Sequence, residues 1–314
     1  MFEKNRIIFD KIESIQVTGL GNYSLRDTME CGQCFRYERI PRNDGAEEYM
    51  TITQSTLIRV VQRERGELIF KGMSDETFES IARPYFSIDT DLEEVRQDIV
   101  RSTDSDWLKS AAEFASGIAI LKQDSFEALI SFIISQNNNI PRIRKIVREI
   151  SGQYGKHLNL ENDNNSCPIS LISGTPSHDK CMQCGRCYTF PSAVDIITAP
   201  EKLLPSKPGF RYGYILDAAE KIAAGEVDLV KIEEAKSYEY TLERLKSIKG
   251  VGDKVASCVA LFGLANLEAF PIDVWMKRAI DTYFDGNLDP KSLGKYAGIA
   301  QQYIFHYIRN IEVN

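Results

Sequence analysis

Between about residues 15 and 75 the apolar positions alternate with polar ones or come in short β-branched runs. Residues 49–54 (YMTITQ) and 56–62 (TLIRVVQ) carry this pattern, 67–72 (ELIFKG) follow Gly66, and 32–40 (GQCFRYERI) are a further candidate. A period of two with β-branched residues predicts strands, and their short spacing predicts an antiparallel sheet. From about Asp75 the spacing becomes helical and stays so to the end. Residues 124–139 (DSFEALISFIISQNNN) place Phe126, Leu129, Ile130 and Ile133 on one face, with Asp124 as the cap and the asparagine run as the stop. Further helices are predicted over about 238–248, 253–264 and 298–308. The fold class is therefore α+β. The expected division is a sheet domain over 1–121 and a helical domain over 122–314, with an insertion at about 158–190.

The chain is organised around residues 245–276, LKSIKGVGDKVASCVALFGLANLEAFPIDVWM. Two predicted helices flank Gly250-Val251-Gly252. Glycines permit backbone angles that other residues avoid, and they let another backbone come close. The second helix then offers free N–H groups and the positive end of its dipole, which suits a phosphate. A helix-hairpin-helix that grips a nucleic-acid backbone follows. Lys254 sits just inside the second helix, and Asp273 comes 19 residues later. An amine attacks once it has given up its proton, and a helix N-terminus with neighbouring cations favours that loss. A nearby carboxylate can stabilise a developing cation. The pair suits attack on a sugar C1′ with loss of a base. Cys258, four residues after Lys254, shares its helix face and puts a polarizable sulfur beside the amine.

Composition adds bounds. At 314 residues with 43% hydrophobic content the chain can bury sizeable cores. It has no apolar run of the roughly 20 residues that span a bilayer. The start, MFEKNRIIFDKIES, is no secretory signal, so a cytoplasmic protein is expected, associated with the nucleoid in a prokaryote. The net charge of −7 argues against a nucleic-acid partner unless charge is segregated. Three clusters lie beside the motifs: Arg142, Arg144, Lys145 and Arg148; Lys246, Lys249 and Lys254; Lys277 and Arg278. Each alone reads as a solvated helix face. Together they predict a basic groove with salt-sensitive binding.

Four of the seven cysteines fall in the insertion: Cys167, Cys181, Cys184 and Cys187, with His178 nearby. Two C-x2-C steps plus a distant cysteine form a metal-ligand pattern. Structural zinc is the first expectation. An iron–sulfur cluster also fits, and so does a reduced, metal-free loop. Cys31 and Cys34 have no second pair beside them and read as ordinary half-buried thiols.

The motif G-V-G-x-K-V-A followed by P-I-D-V resembles the helix-hairpin-helix/Gly-Pro-Asp DNA glycosylases, specifically the 8-oxoguanine DNA glycosylase/AP lyase branch. The likeness runs from about Gly32 to Phe305. It implies a TATA-binding-protein-like N-terminal sheet and a mostly helical glycosylase domain. It implies that Gly32 offers its carbonyl to the N7–H of 8-oxoguanine, where a bare turn glycine would otherwise be read. It implies a base pocket in which Phe305 and Cys258 sandwich the base and Gln301 bonds its Watson–Crick edge. Asn137 would fill the gap left by the flipped base. Phe210 would wedge beside the opposite base, and Arg142 and Arg211 would read a cytosine there. Gly250 and Gly252 would meet the DNA backbone. One departure stands out: the family carries a histidine two residues after its aspartate, and this chain has Trp275.

The resemblance thus implies a monomeric enzyme that needs no cofactor for catalysis. It would excise 8-oxoguanine from duplex DNA and cut the strand by β-elimination through a Schiff base on Lys254, with AP sites as a second substrate. A glycosylase for another damaged purine, a protein that is mainly an AP lyase, and a non-catalytic DNA-binding protein are the alternatives.

Overall fold

The computed structural model describes residues 2–158 and 186–311. Its N-terminal part is one six-stranded antiparallel sheet in the order β1-β2-β6-β5-β4-β3. The strands are β1 (Glu3–Phe9), β2 (Ile12–Thr18), β3 (Tyr37–Ile40), β4 (Glu47–Thr53), β5 (Thr56–Gln62) and β6 (Leu68–Lys71). The α+β class and the antiparallel sheet are as expected. The sheet begins earlier than the alternation suggested. β1 reads EKNRIIF and lies on an edge, where charged side chains suit solvent and mask the period. Its hairpin to β2 turns on Asp10 and Lys11 with φ of 49° and 64°, a tight turn without the usual Asn-Gly signal. A six-residue helix, Leu25–Glu30, capped by Ser24, also escaped the sequence reading.

The helical part matches the predicted elements closely. The core helix is Ser125–Ser135, and Asp124 caps it by accepting from the Glu127 N–H. The asparagine run does stop it, and Asn139 then caps the next helix, Ile140–Tyr154. The hairpin helices are Tyr238–Lys246 and Asp253–Phe262. Helices Val274–Tyr283 and Ala297–Ile311 follow. Among the described residues no helix is long and apolar enough to cross a membrane.

Two cores organise the packing. The first holds the inward face of the sheet, including Ile15, Val17, Ile58, Val60, Leu68 and Phe70. The second surrounds the core helix and the second hairpin helix, which pack on each other. Helices Leu92–Arg101 and Asp106–Phe114 fall within the expected sheet domain. Their apolar residues Val95, Ile99, Leu108 and Ala111 nevertheless belong to the second core. The sheet is tied to this core by a buried pair, Arg36 Nη1 to Glu127 Oε2 at 2.8 Å. Arg36 also donates to the Tyr188 carbonyl. Burial pushes the Glu127 carboxyl up, and the Arg36 charge offsets part of that shift.

Candidate active site

The hairpin has the geometry its glycines predict, but each glycine acts for a different reason. Gly250 has φ of 78°, and a Cβ there would lie 2.3 Å from the Tyr214 ring. The fold itself excludes any side chain. Gly252 is the N-cap of the second hairpin helix, with φ of −97°. A Cβ on it would meet nothing within 4 Å. The fold itself therefore does not require a glycine at 252, and this face of the helix N-terminus is open.

Lys254 is the second residue of this helix, in its first turn, and is partly buried. Its Nζ donates to Ser135 Oγ at 3.2 Å and stands 5.4 Å from the centre of the Phe132 ring. Ser135 Oγ in turn donates to the Phe132 carbonyl at 2.8 Å. The amine is thus held by the last turn of the core helix. Asp273 caps helix Val274–Tyr283, with Oδ1 accepting from the Met276 N–H at 2.9 Å. Cys258 is buried, and the charges of both groups act on it. Burial pushes its thiol up to about 11; the Lys254 charge pulls it back and the Asp273 charge adds to the rise. Lys254, Asp273 and Cys258 therefore meet at one place. Beside them opens a cleft of about 1050 Å³ lined by Gly252, Lys254, Tyr238, Phe270, Lys277 and Lys291, among others.

Of the expected base-pocket residues, Gly32 and Phe305 are neighbours. Gly32 has φ of 93°, and a Cβ there would lie 3.6 Å from Phe305 Cε1. Segment 31–34 and the last helix thus touch at Gly32 and Phe305. Arg309 lies at the same corner, its guanidinium 5.2 Å from the Phe305 ring centre. Gln301 is buried, and its Oε1 accepts from Gln302 Nε2 at 2.7 Å. The Gly32 turn is held by Gln33, which sequence reading missed. Its fully buried amide donates to the carbonyls of Thr28 and Ala119, each at 2.8 Å, and accepts from the Leu121 N–H at 2.8 Å. A glutamine between two cysteines carries no motif; only its burial reveals the role. Cys31 and Cys34 are fully buried rather than half-buried, and burial pushes the Cys31 thiol up to about 12.

The residues expected to face DNA divide. Asn137 is exposed with φ of 49°, and Arg142 is exposed at the start of helix Ile140–Tyr154. Phe210 is 56% exposed, its ring edge-on to Tyr214, as a wedge would be. Arg211 departs from expectation. It is buried, and its guanidinium donates to backbone carbonyls: Gln136 at 2.9 Å, Pro208 at 3.2 Å and Asn137 at 3.0 Å. In this conformation it holds the asparagine turn rather than presenting itself to a base. Burial, then the like charge of Arg142, lowers its proton affinity.

The basic clusters are also split. Arg144 stacks 4.2 Å from the Tyr37 ring, and Arg148 approaches Glu38 at 3.7 Å, so both turn to the sheet. Lys246 pairs with Asp253 at 2.6 Å. Trp275 lies under Arg278 at 5.2 Å. Of the expected metal ligands, Cys167, Cys181 and Cys184 lie outside the described residues. Cys187 is described and buried, its carbonyl accepting from the Leu158 N–H at 2.8 Å.

Residues 17–129 match the family model of the 8-oxoguanine DNA glycosylase N-terminal domain. The N-glycosylase/DNA lyase of Saccharomyces cerevisiae is 29% identical over 277 residues, 81% of this chain; the chain spans 66% of that protein's length. The Clostridium acetobutylicum 8-oxoguanine glycosylase/lyase, solved with duplex DNA bearing cytosine opposite 8-oxoguanine, is 30% identical. Its TM-score is 0.80 over 99% of this chain and 98% of its own. MBOgg1, solved with a low-affinity DNA ligand, is 30% identical with a TM-score of 0.80 over 99% of both chains. A hairpin that leaves its N-cap open, a lysine and an aspartate gathered at one buried thiol, and a fold shared end to end with these proteins agree: the chain belongs to the 8-oxoguanine DNA glycosylase family.

Proposed function

We propose that this protein is a bifunctional DNA glycosylase/AP lyase that excises 8-oxoguanine from duplex DNA, by preference opposite cytosine, in base excision repair. The observation that carries the reading is the placement of Lys254. A lysine that only held phosphate would extend into solvent. This one is partly buried, fixed by Ser135 and grouped with Asp273 and Cys258.

A base stacked in a duplex is out of reach, so the lesion must be flipped out. The hairpin amides hold the backbone while the DNA kinks, at a cost of about a few kcal/mol offset by these contacts. Lys254 Nζ, deprotonated, bonds to C1′ as the bond to the base breaks. Asp273 stabilises the positive charge that develops on the sugar. The resulting Schiff base supports β-elimination on the 3′ side. Phe305, Cys258, Gln301 and the Gly32 carbonyl surround the base. No cofactor enters this chemistry. The enzyme works as a monomer and, acting on chromosomal DNA, in the cytoplasm with the nucleoid.

Borohydride trapping on duplexes containing 8-oxoguanine, an AP site or plain guanine tests the reading. Covalent adducts with the first two and none with guanine are expected. Trapping on the AP site alone would mark a lyase, and no trapping at all a non-catalytic binder.

The four insertion cysteines are proposed to hold one structural zinc. Elemental analysis of protein purified without chelator checks this; iron with a brown absorbance would indicate a cluster, and neither metal in active protein a plain loop.

A further inference from the structure

We propose that Gln302 decides which purine edge the base pocket accepts, by fixing the side-chain amide of Gln301. The inference rests on the proposed function, in which Gln301 bonds the Watson–Crick edge of the flipped base.

Gln301 and Gln302 are both buried on the last helix, and Gln302 Nε2 donates to Gln301 Oε1 at 2.7 Å. An amide oxygen has two lone pairs and an amide nitrogen two hydrogens. The bond uses one lone pair of Gln301. It leaves the Gln301 NH2 group and one lone pair for the pocket. The sense of this bond is a matter of which amide is turned which way. Among the described residues, Gln302 Oε1 and Tyr303 OH are the two buried side-chain polar atoms with no partner in the protein. Turning both amides over would let Gln301 donate to Gln302. It would also leave the Gln302 NH2, with two hydrogens, where a single carbonyl oxygen now stands. Buried orphan N–H groups are rarer than underused carbonyls. The observed sense is therefore the favoured one, and Gln302 enforces it.

The consequence is chemical. A keto purine such as 8-oxoguanine presents an acceptor at O6 beside a donor at N1–H. An amino purine such as 8-oxoadenine presents a donor at N6 beside an acceptor at N1. A freely turning amide could match either order. An amide fixed by Gln302 matches one and leaves buried groups unpaired against the other, the arrangement that gives polar sites their discrimination. Gln302 is a positioning residue here; it need not touch the base.

The test uses the full-length protein carrying Gln302→Met, with Gln302→Leu as a second variant of similar bulk; neither side chain can hydrogen-bond to Gln301. Single-turnover excision is measured for 8-oxoguanine and 8-oxoadenine in the same duplex. β-Elimination is measured on an AP-site duplex, which has no base to read. The ratio of 8-oxoguanine to 8-oxoadenine excision is expected to fall by about ten-fold, with AP-site cleavage within about two-fold of wild type. An unchanged ratio overturns the assignment of Gln302 alone. So does a parallel loss of all three activities, which marks a purely structural residue. Wild-type protein that cleaves AP sites but excises neither base overturns the functional reading, and this one with it.

Discussion

Lys254 Nζ donates to Ser135 Oγ at 3.2 Å, so the proposed nucleophile of the second hairpin helix is held by the last residue of the core helix. Lys254→Gln should abolish borohydride trapping while leaving DNA affinity largely intact, because the hairpin amides are unchanged. Ser135→Ala should keep trapping but slow it by about two- to ten-fold, the effect of losing one hydrogen bond that positions the amine. Single-turnover trapping rates decide both, and full lyase activity in Lys254→Gln would remove the lysine from the mechanism.

Asp273 has two roles that one substitution separates. Its carboxylate caps helix Val274–Tyr283, and its charge faces the site. Asparagine caps a helix about as well as aspartate, so Asp273→Asn keeps the fold and removes the charge. Excision should fall by about 10²-fold or more with little change in thermal midpoint. An unchanged excision rate would assign the electrostatic work to another carboxylate.

The two hairpin glycines should fail in opposite ways. Gly250→Ala forces a methyl into Tyr214 at a positive φ and should destabilise the protein by about 1–3 kcal/mol. Gly252→Ala has room and an ordinary φ, so it should leave stability alone and weaken DNA binding. Denaturant midpoints and DNA affinities for both variants check this. Equal behaviour would mean that the open face at 252 meets no DNA.

His306 should make stability fall on mild acidification. Burial lowers its proton affinity below the usual 6.5; Asp27 raises it in part and Arg309 lowers it further. A folded pKa below the unfolded one means that the unfolded chain takes up the proton first. The contribution is fully present above about 6.5 and is lost as pH falls through the lowered folded value. His306→Gln should therefore lose less stability than wild type between pH 7.5 and 5. Parallel curves for the two proteins would exclude His306.

Much of the frame was legible because it is local. Asp124 and the asparagine run bound the core helix, and G-V-G puts Lys254, the proposed nucleophile, in the first turn of a helix. The parts that escaped depend on residues distant in sequence. Gln33 matters because Thr28, Ala119 and Leu121 close around it. Arg144 and Arg148 looked like part of a DNA face, yet β3 lies beside their helix and draws them to Tyr37 and Glu38. β1 was hidden because an exposed edge strand need not alternate.

Arg211 belongs with these non-local cases, and its position sharpens the prediction for the base opposite the lesion. Its guanidinium is committed to the carbonyls of Gln136, Pro208 and Asn137. It therefore shapes the turn at Asn137, while Arg142 stands exposed in the first turn of helix Ile140–Tyr154. Arginine only donates. Cytosine offers two acceptors, O2 and N3, on its Watson–Crick edge, whereas adenine and guanine each put a donor there. Losing a matched pair of bonds to a charged group costs about 1.5–3 kcal/mol. Excision of 8-oxoguanine opposite cytosine should accordingly exceed that opposite adenine by about ten-fold or more. Arg142→Met should erase most of this preference and leave the fold intact, because the side chain is exposed. Arg211→Met should instead lower stability, since three backbone carbonyls lose their donor. Excision rates on the four duplexes, with melting of both variants, decide between the two arginines. Equal rates opposite all four bases in the unmutated protein would show that Arg142 does not read the partner base.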